Sequence, residues 1–307
     1  MAVKTLISIV GPTGIGKTAW AIQIARHFKT EIISSDSRQF FKEMSIGTAV
    51  PSKEELAMVP HHFIQHKSIF ETYSVGDFER DALSFLTVFF KVNDMLVMVG
   101  GSGLYNDAVI HGLDEFPNID PEIRIALDRQ LKERGIGSLQ DQLKRLDRSH
   151  YEKIDLENPH RLIRALEVCM GTGKPYSSFL GLKKKNRTFN VITVGVGADR
   201  EIIYRRINKR VDVMIKNGLV QEAESLKEHR TLNALQTVGY KELFSYFDGE
   251  WPLDFAISEI KKNTRRFAKR QLTWFKRNEH TLWIDFDENW GMVSNQIENR
   301  LKQQGNG

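Results

Sequence analysis

The chain has 307 residues, 41% of them hydrophobic and 27% charged, which is enough for one large domain and a smaller one with substantial cores. The formal net charge is +5, a mild excess whose meaning depends on where the positive side chains lie. The single cysteine excludes an intrachain disulfide and a cysteine-based metal cluster, and the lack of any apolar stretch of roughly 18–20 residues predicts a cytoplasmic protein without a membrane span.

The N-terminal part of the chain alternates between strands and helices, which is typical of an α/β fold with a parallel sheet. Short apolar runs predict the strands, and apolar residues at helical spacing predict the helices. The predicted strands are residues 5–10, 31–35, 94–99 and 191–196, and the predicted helices among the first three are residues 19–28 and 75–91. Helices fill most of the remaining chain, and the segment from Gln303 onward is expected to fray.

The stretch between the third and fourth predicted strands breaks this alternation. After several turn residues, Asp120 and Pro121 have the properties of a helix N-cap and a first helical residue, and the chain is helical from there to about Pro175. We therefore predict a core domain with a mainly helical insertion. The core domain comprises residues 1–113 and 187–307, and the insertion domain comprises residues 114–186.

A phosphate-binding loop is predicted at residues 11–18, which read GPTGIGKT and match every fixed position of the pattern GxxxxGK[ST]. The loop lies between a predicted buried strand and a predicted helix. Its glycines let backbone N–H groups face phosphate oxygens, and the helix adds the positive end of its dipole. Lys17 supplies a positive charge, and the Thr18 hydroxyl can ligate Mg²⁺. Phosphate contacts are predicted for Gly11, Thr13, Gly14, Gly16, Lys17 and Thr18.

An expected acidic partner of this loop is absent from the sequence. Most loops of this pattern bind ATP or GTP and act with an acidic residue that ends a second buried strand. The best candidate strand, residues 94–99, runs into Gly100 and Gly101 instead. ATP binding is therefore indicated by the motif alone, and the missing acid favours another phosphorylated substrate.

Two further loops follow predicted strands at the edge of the sheet where ligands bind in such folds. Asp36 follows residues 31–35, and its position fits equally well a general base, a partner of Mg²⁺ through water, or the N-cap of a following helix. The glycine-rich stretch around Ser102 either brings its hydroxyl and backbone N–H groups near the same phosphates or forms a simple tight turn.

Arginines occur at helical spacing in two places. Arg161 and Arg164 share one face of a helix that begins after Asn158, and they fit either a phosphate clamp or a solvated surface. Arg206 and Arg210 are four residues apart in a helix that follows the last predicted strand. Their spacing alone favours a solvated face, although an arginine at this place can reach a leaving diphosphate.

A strongly basic helix is predicted at residues 261–277, which contain eight Lys or Arg residues and no acid. Its apolar residues form one stripe that should pack on the core. A solvated face normally mixes charges of both signs, so a run of this length without an acid favours a polyanionic partner. Trp274 and Gln271 are candidates for stacking on, or hydrogen bonding to, exposed RNA bases.

Taken together, these motifs resemble the tRNA dimethylallyltransferase (tRNA isopentenyltransferase) family over essentially the whole chain. The family transfers a dimethylallyl group from dimethylallyl diphosphate to N6 of adenosine 37 in tRNAs that read codons beginning with U. The resemblance implies a P-loop NTPase-like parallel sheet flanked by helices, and the single cysteine indicates the bacterial type, which lacks a zinc-finger extension. The matching stretches are residues 11–18, 33–39 (ISSDSRQ), 44–49 (MSIGTA), 100–105 (GGSGLY), 158–161 (NPHR), 164–167 (RALE), 238–240 (VGY) and 269–274 (KRQLTW).

The resemblance also implies roles for individual residues. Asp36 matches the general base, Ser102 and Arg210 match further catalytic positions, and Lys17 and Arg210 match diphosphate contacts. Thr18 matches the residue that holds Mg²⁺. Ser102 stands where the family usually has threonine, and the hydroxyl is kept. The implied tRNA contacts are Asp36, Ser37, Arg38, Gln39, Ser102, Arg124, His160, Arg161, Arg164, Gly239, Tyr240, Lys269, Arg270, Gln271, Trp274 and Lys276.

The implied partners are dimethylallyl diphosphate and the anticodon stem-loop of tRNA, with Mg²⁺ as cofactor, and we expect a monomer. Two rival enzymes are an isopentenyltransferase that acts on free AMP, ADP or ATP, and an ATP-dependent small-molecule kinase. The basic helix argues against the first rival because a free nucleotide needs no extended cationic surface. A non-catalytic RNA-binding protein would not need Lys17, Thr18 and Asp36.

Overall fold

Six parallel strands form one sheet in the structure, a computed structural model that describes residues 3–181 and 186–305. In chain order the strands are β1 (Thr5–Val10), β2 (Ile32–Ser34), β3 (His61–His62), β4 (Met95–Val99), β5 (Asn190–Gly197) and β6 (Leu282–Asp285). Their order across the sheet is β3-β2-β4-β1-β5-β6. In this register Thr5 of β1 lies opposite Met95 of β4 and Asn190 of β5. Because the strands are parallel, their carboxyl ends lie along one edge of the sheet.

Helices connect and flank the strands. In the described residues they are α1 (Lys17–His27), α2 (Lys53–Met58), α3 (Val75–Phe89), α4 (Gly103–His111), α5 (Pro121–Leu146), α6 (Arg148–Tyr151), α7 (Pro159–Thr172), α8 (Arg200–Lys216), α9 (Leu219–Ser225), α10 (Tyr240–Phe247), α11 (Leu253–Phe275) and α12 (Trp290–Gly305). None of the helices in this part of the chain combines the length and the apolar character needed to cross a bilayer.

The central strand β1 is buried along its whole length. Successive side chains of a strand point to opposite faces of the sheet, so Leu6 belongs to one hydrophobic core and Ile7 to another. The first core includes Phe78 of α3, and the second includes Ala21 of α1. Helices therefore cover both faces of the sheet, as the predicted α/β class requires, and this fold class is confirmed.

The chain divides into two compact units, one formed by residues 1–110 and 187–307 and the other by residues 111–186. The sheet belongs to the first unit. In its described residues the second unit contains helices and turns but no strand, and α5, α6 and α7 surround their own core. The boundary that we predicted at residue 114 falls in the irregular stretch that follows α4. The core of the second unit includes Leu127, Leu139, Leu143, Leu162 and Leu166.

Local capping explains where the helices of the second unit begin. The side chain of Asp120 accepts a hydrogen bond from the backbone N–H of Glu122 at 3.0 Å, and Asn158 accepts one from that of Arg161 at 3.3 Å. A proline occupies the first turn in both helices. Gly135, with a φ of 72°, interrupts the helical path of α5.

Two strands and one helix end differ from the sequence prediction. β3 has two residues and β6 has four, which is too short for a recognisable periodicity. We expected the chain to fray from Gln303 onward. This is wrong for residues 303–305, because α12 continues to Gly305. Gln304 also donates a 3.1 Å hydrogen bond to the carbonyl of Val191. Residues 306–307 lie outside the described part of the chain.

Candidate active site

The loop between β1 and α1, residues 11–16, stands at the carboxyl edge of the sheet. Gly11 has a φ of 142°, and a Cβ atom at this position would lie 2.4 Å from the carbonyl oxygen of Val196, so only glycine fits. Gly16, with a φ of 109°, precedes the first residue of α1. Lys17 begins that helix and donates from Nζ to the carbonyl of Pro12 at 2.8 Å. The β1–α1 loop thus curls around the lysine, as the pattern predicts.

The loops that follow β2 and β4 are tied to each other beside the β1–α1 loop. The backbone N–H of Ser37 donates to Oγ of Ser102 at 3.1 Å, and the two hydroxyl oxygens are also 3.1 Å apart. Asn106, which is 1% exposed, accepts a hydrogen bond from Ser8 and donates one to Ser35. Side-chain hydrogen bonds through Asn106 of α4 therefore join β1 to the loop after β2, and Asn106 is a residue that sequence reasoning missed.

Asp36 lies in a turn directly after β2. Its Oδ1 atom accepts a 3.1 Å hydrogen bond from the backbone N–H of Arg38, and its own N–H donates to Ser34 Oγ at 3.3 Å. No helix begins there, since the next one starts at Lys53. Of the three interpretations open from the sequence, the N-cap of a following helix is therefore wrong, and the carboxylate is available for chemistry or for a metal through water.

Asp36 lies in the field of two partly desolvated cations. Loss of hydration lowers the pKa of Lys17 to about 8, an effect that the negative charge of Asp36 opposes and the positive charge of Arg210 reinforces. Burial also lowers the pKa of Arg210, again opposed by Asp36. Two poorly hydrated cations beside one carboxylate leave excess positive charge, which a phosphate group would balance.

The two arginines of α8 have different roles. Arg206 donates from Nε to the carbonyl of Gly14 at 3.0 Å and stacks 4.9 Å from the ring centre of Phe286, so it supports the β1–α1 loop from outside. Arg210 lies one turn further along and approaches Oγ1 of Thr13 at 3.5 Å. The solvated face favoured by spacing alone is therefore wrong for both side chains.

Helix α11 contacts the loops of the site through Gln271 and Trp274. Gln271 is 6% exposed, accepts a hydrogen bond from the N–H of Thr13, and donates one to the carbonyl of Gly101, both at 2.8 Å. Trp274 donates to Asp107 at 3.0 Å. A Cβ atom at Gly103 would lie 2.4 Å from its ring. The structure thus uses both side chains within the protein, whereas the sequence suggested contacts with RNA bases.

A cavity of about 760 Å³ opens among these elements. This volume is within the usual range for a small-molecule site. Its polar wall includes Thr13, Asp36, Ser102 and Arg210, and its apolar wall is formed by Ile207, Val211, Met214, Leu219, Val238, Ile260 and Phe267. The cavity therefore combines a polar wall, which carries both a carboxylate and a guanidinium group, with an apolar wall.

The basic surface of α11 is narrower than its sequence suggested. Lys261 pairs with Asp212 at 2.5 Å and Lys262 with Glu259 at 2.6 Å, so acids of the protein neutralise the earlier part of the basic run. The exposed cations further along make no salt bridge with the described residues, and these are Arg266, Lys269, Arg270, Lys276 and Arg277. Any polyanion is thus expected at this later part of the helix.

Arg38 and Gln39, which were predicted to contact tRNA, bond to backbone carbonyls of the protein. Arg38 donates to the carbonyls of Asn233 and Ala234, both at 3.0 Å. Tyr240 differs most from the prediction, because it is 0% exposed and its ring is not available to RNA in this arrangement.

Gly239 lines the cavity. The remaining predicted tRNA contacts lie in the unit formed by residues 111–186. Arg124 and Arg164 both pair with the buried carboxylate of Glu167, at 3.4 Å and 3.2 Å. The side chains of both arginines remain close to half exposed. His160 and Arg161 are exposed in the first turn of α7. This unit therefore presents its own group of cationic and polar side chains.

Known proteins resemble this chain over nearly all of its length. A family model described as IPP transferase matches residues 39–278. A tRNA dimethylallyltransferase of Flavobacterium johnsoniae is 59% identical over 305 residues, which cover 97% of this chain and 99% of that protein. One of Christiangramia forsetii is 61% identical over 296 residues, which cover 96% and 98%. The crystal structure of full-length tRNA isopentenylpyrophosphate transferase from Bacillus halodurans matches with a TM-score of 0.73 and 36% identity, covering 98% of this chain and 97% of that one.

Proposed function

The chain belongs to the IPP transferase family, and on this premise we propose that it is a tRNA dimethylallyltransferase. It transfers a dimethylallyl group from dimethylallyl diphosphate to N6 of adenosine 37 in tRNAs that read codons beginning with U. The observation that carries the proposal is the cavity that Asp36 and Arg210 line beside an apolar wall, with the ammonium group of Lys17 close enough to feel the charges of both. The enzyme acts as a monomer in the cytoplasm, where its tRNA substrate is found.

The β1–α1 loop binds the diphosphate of the donor. Backbone N–H groups and the start of α1 supply partial positive charge, and Lys17 and Arg210 supply full charges. Their poor hydration makes them strong partners for an anion. The same groups stabilise the negative charge that develops on the leaving diphosphate in the transition state. The dimethylallyl group packs against the apolar wall of the cavity.

Asp36 acts as the general base. The exocyclic amine of adenine is a poor nucleophile, because its lone pair is delocalised into the ring. During transfer the bond between C1 of the donor and the diphosphate oxygen breaks, a bond between N6 and C1 forms, and Asp36 takes the proton from N6. Proton removal of this kind contributes roughly 10²–10⁴-fold to the rate. Ser102 lies beside the turn that carries Asp36, where its hydroxyl can contact the incoming nucleotide.

The donor set suits a weakly held Mg²⁺ ion. The described residues contain no group of three acidic, histidine or cysteine side chains that could cage a metal. Mg²⁺ usually binds through few protein ligands together with phosphate oxygens and water, and the Thr18 hydroxyl in the first turn of α1 offers one such ligand. When bound, the ion would neutralise charge on the diphosphate.

The tRNA binds across the later part of α11. The exposed Lys269, Arg270 and Lys276 contact its phosphates, and the target base leaves the anticodon loop to enter the cavity, at a cost of about a few kcal/mol. His160, Arg161, Arg124 and Arg164 contribute further contacts from the second unit. The basic surface of α11 and the names of the relatives favour tRNA over free AMP as the acceptor.

The test offers two acceptors side by side. Purified protein is incubated with Mg²⁺ and radiolabelled dimethylallyl diphosphate, and with either unmodified tRNA or AMP. We expect label in a tRNA that reads a codon beginning with U, and none in a matched tRNA whose adenosine 37 is replaced by guanosine. Label in AMP alone would establish the adenylate enzyme, and consumption of ATP would indicate the kinase.

A further inference from the structure

Two of the stretches on which the family resemblance rests, residues 44–49 and residues 238–240, meet at one carboxylate. Glu222 of α9 accepts hydrogen bonds at Oε2 from the backbone N–H groups of Ser45 and Ile46, at 3.0 Å and 2.8 Å. Its Oε1 atom accepts one from the N–H of Gly47 at 2.9 Å and one from the hydroxyl of Tyr240 at 2.7 Å. Both carboxylate oxygens are thus occupied by protein donors.

The four hydrogen bonds to Glu222 make this contact rigid. Hydrogen bonds to an ionised carboxylate are stronger than those between neutral groups. Tyr240 is 0% exposed, and its burial, together with the nearby charge of Glu222, raises the pKa of the phenol, so the hydroxyl keeps the proton that it donates. A Cβ atom at Gly47 would lie 2.6 Å from the tyrosine ring, so a side chain there would displace the ring or the backbone. The loop of residues 44–49 is therefore fixed against α9 and α10.

The same loop reaches the turn that carries the general base. Gln39 donates from Nε2 to the carbonyls of Ala49 at 3.0 Å and Thr48 at 3.4 Å. Its Oε1 atom accepts a hydrogen bond from Ser34 at 3.2 Å, and its backbone N–H donates to the carbonyl of Asp36 at 3.0 Å. The hydrogen bonds thus run without a gap from Glu222 through the loop and Gln39 to Asp36.

We propose that Glu222, with Tyr240, is a positioning residue for the reaction, which holds the loop of residues 44–49 so that Gln39 keeps Asp36 in place. This inference rests on the proposed function, in which Asp36 is the base. Glu222 acts through the loop and touches neither substrate. Gly47 and Thr48 also line the cavity, so the same contact fixes part of its wall.

The proposal is tested with the variants Glu222→Gln and Tyr240→Phe, with Glu224→Gln as the matched control in the same helix. Glutamine keeps the shape of Glu222 but turns one accepting oxygen into a donating amide, which opposes the donors around it. The readout is the single-turnover rate constant of tRNA labelling, with enzyme in excess over tRNA and saturating donor. Under these conditions an inactive fraction of enzyme changes the amount of protein needed but not the rate constant.

We expect Glu222→Gln to lower this rate constant by about tenfold or more, since small displacements of a reacting group cost up to about 10²-fold. Tyr240→Phe, which removes one hydrogen bond and is the milder change, should lower it by a smaller factor. The KM for dimethylallyl diphosphate and the affinity for tRNA should stay at wild-type values, and Glu224→Gln should match the wild type throughout.

Amide hydrogen exchange of the free protein measures, without substrate, how firmly Glu222 holds the loop. The backbone amide hydrogens of Ser45, Ile46 and Gly47 should exchange faster in both variants than in the wild type. If both variants melt at a lower temperature but keep the wild-type rate constant, Glu222 has only a stabilising role and the inference is overturned. Should Glu222→Gln fail to fold, Tyr240→Phe alone decides between these outcomes. A wild-type protein that labels no tRNA would instead overturn the proposed function and, with it, the role of Glu222.

Discussion

Gln271 of α11 accepts a 2.8 Å hydrogen bond from the backbone N–H of Thr13, a residue 258 positions earlier in the chain. With the other end of the same amide it donates to the carbonyl of Gly101 at 2.8 Å. One buried side chain therefore joins the β1–α1 loop to the loop that follows β4. The helix that supplies it also carries the exposed cations of the proposed tRNA surface, so that surface is rigidly connected to the donor site.

Replacing Gln271 with alanine should impair use of the donor and leave tRNA binding intact. The N–H of Thr13 and the carbonyl of Gly101 would lose their partner, and the two loops would no longer be held together. Because misplacement of this size is costly, we expect kcat/KM for dimethylallyl diphosphate to fall by about tenfold. Steady-state kinetics with varied donor, together with filter binding of tRNA, measure the two effects.

Lys269→Ala is the matched control, because this residue lies two positions away on the exposed side of the same helix. It should weaken tRNA binding and leave the kinetics of the donor unchanged. The opposite result for Gln271→Ala, a loss of tRNA affinity with normal donor kinetics, would return Gln271 to the RNA contact that its sequence motif suggested.

Asp36→Asn should abolish most of the turnover without disturbing the site. An amide oxygen can still accept the hydrogen bond from the N–H of Arg38, so the turn is expected to keep its shape. The amide cannot take a proton from N6, and kcat should fall by at least about 10²-fold. Asp94→Asn, in which the lost carboxylate pairs with Lys4 at the other end of β4, should retain wild-type turnover. Near-normal turnover of Asp36→Asn would exclude this residue as the base.

Donor binding should weaken as the pH rises through about 8, which is the lowered pKa of Lys17. Below this pH the ammonium group is charged and attracts the diphosphate, whereas above it the neutral amine does not. Because kcat/KM reports the ionisation of the free enzyme, its value for dimethylallyl diphosphate should decline on the alkaline side with a midpoint near 8.

Lys17→Arg separates this lysine from other groups that titrate in the same range. Arginine stays charged at every pH of the assay, so the alkaline decline should disappear even if the overall rate is lower. A decline that persists unchanged in Lys17→Arg would mean that another group controls donor binding.

The sequence predicted the parts of the site that follow from local rules. A fixed residue pattern between a strand and a helix identified the β1–α1 loop. Parallel strands that end at one edge brought Asp36 and Ser102 to the same place. The role of each residue in the reaction came from the family resemblance and stays a prediction.

The parts that the sequence did not reveal depend on contacts between distant segments. Glu222 is hydrogen-bonded to Ile46, which lies 176 positions earlier in the chain, and Asn106 is hydrogen-bonded to Ser8, which lies 98 positions earlier. No periodicity or spacing encodes such pairs. The charge on the basic helix was overestimated for a similar reason, since Asp212 on α8 neutralises Lys261. The pairing of Lys262 with Glu259 could have been predicted from the sequence, because residues three apart lie on the same face of a helix.

Affinity for tRNA should depend steeply on salt, and this dependence should come from the later part of α11. Each phosphate contact that is lost should reduce the slope of log K against log salt by roughly 0.7–0.9. We therefore expect a reduction of this size for Arg270→Ala, whose guanidinium is exposed. Lys261→Ala is the control in the same helix, because its ammonium group is already paired with Asp212 and its loss should change the slope little. Equal slopes for the wild type and Arg270→Ala would move the phosphate contacts away from this part of the helix, and a larger effect for Lys261→Ala would place them nearer its start.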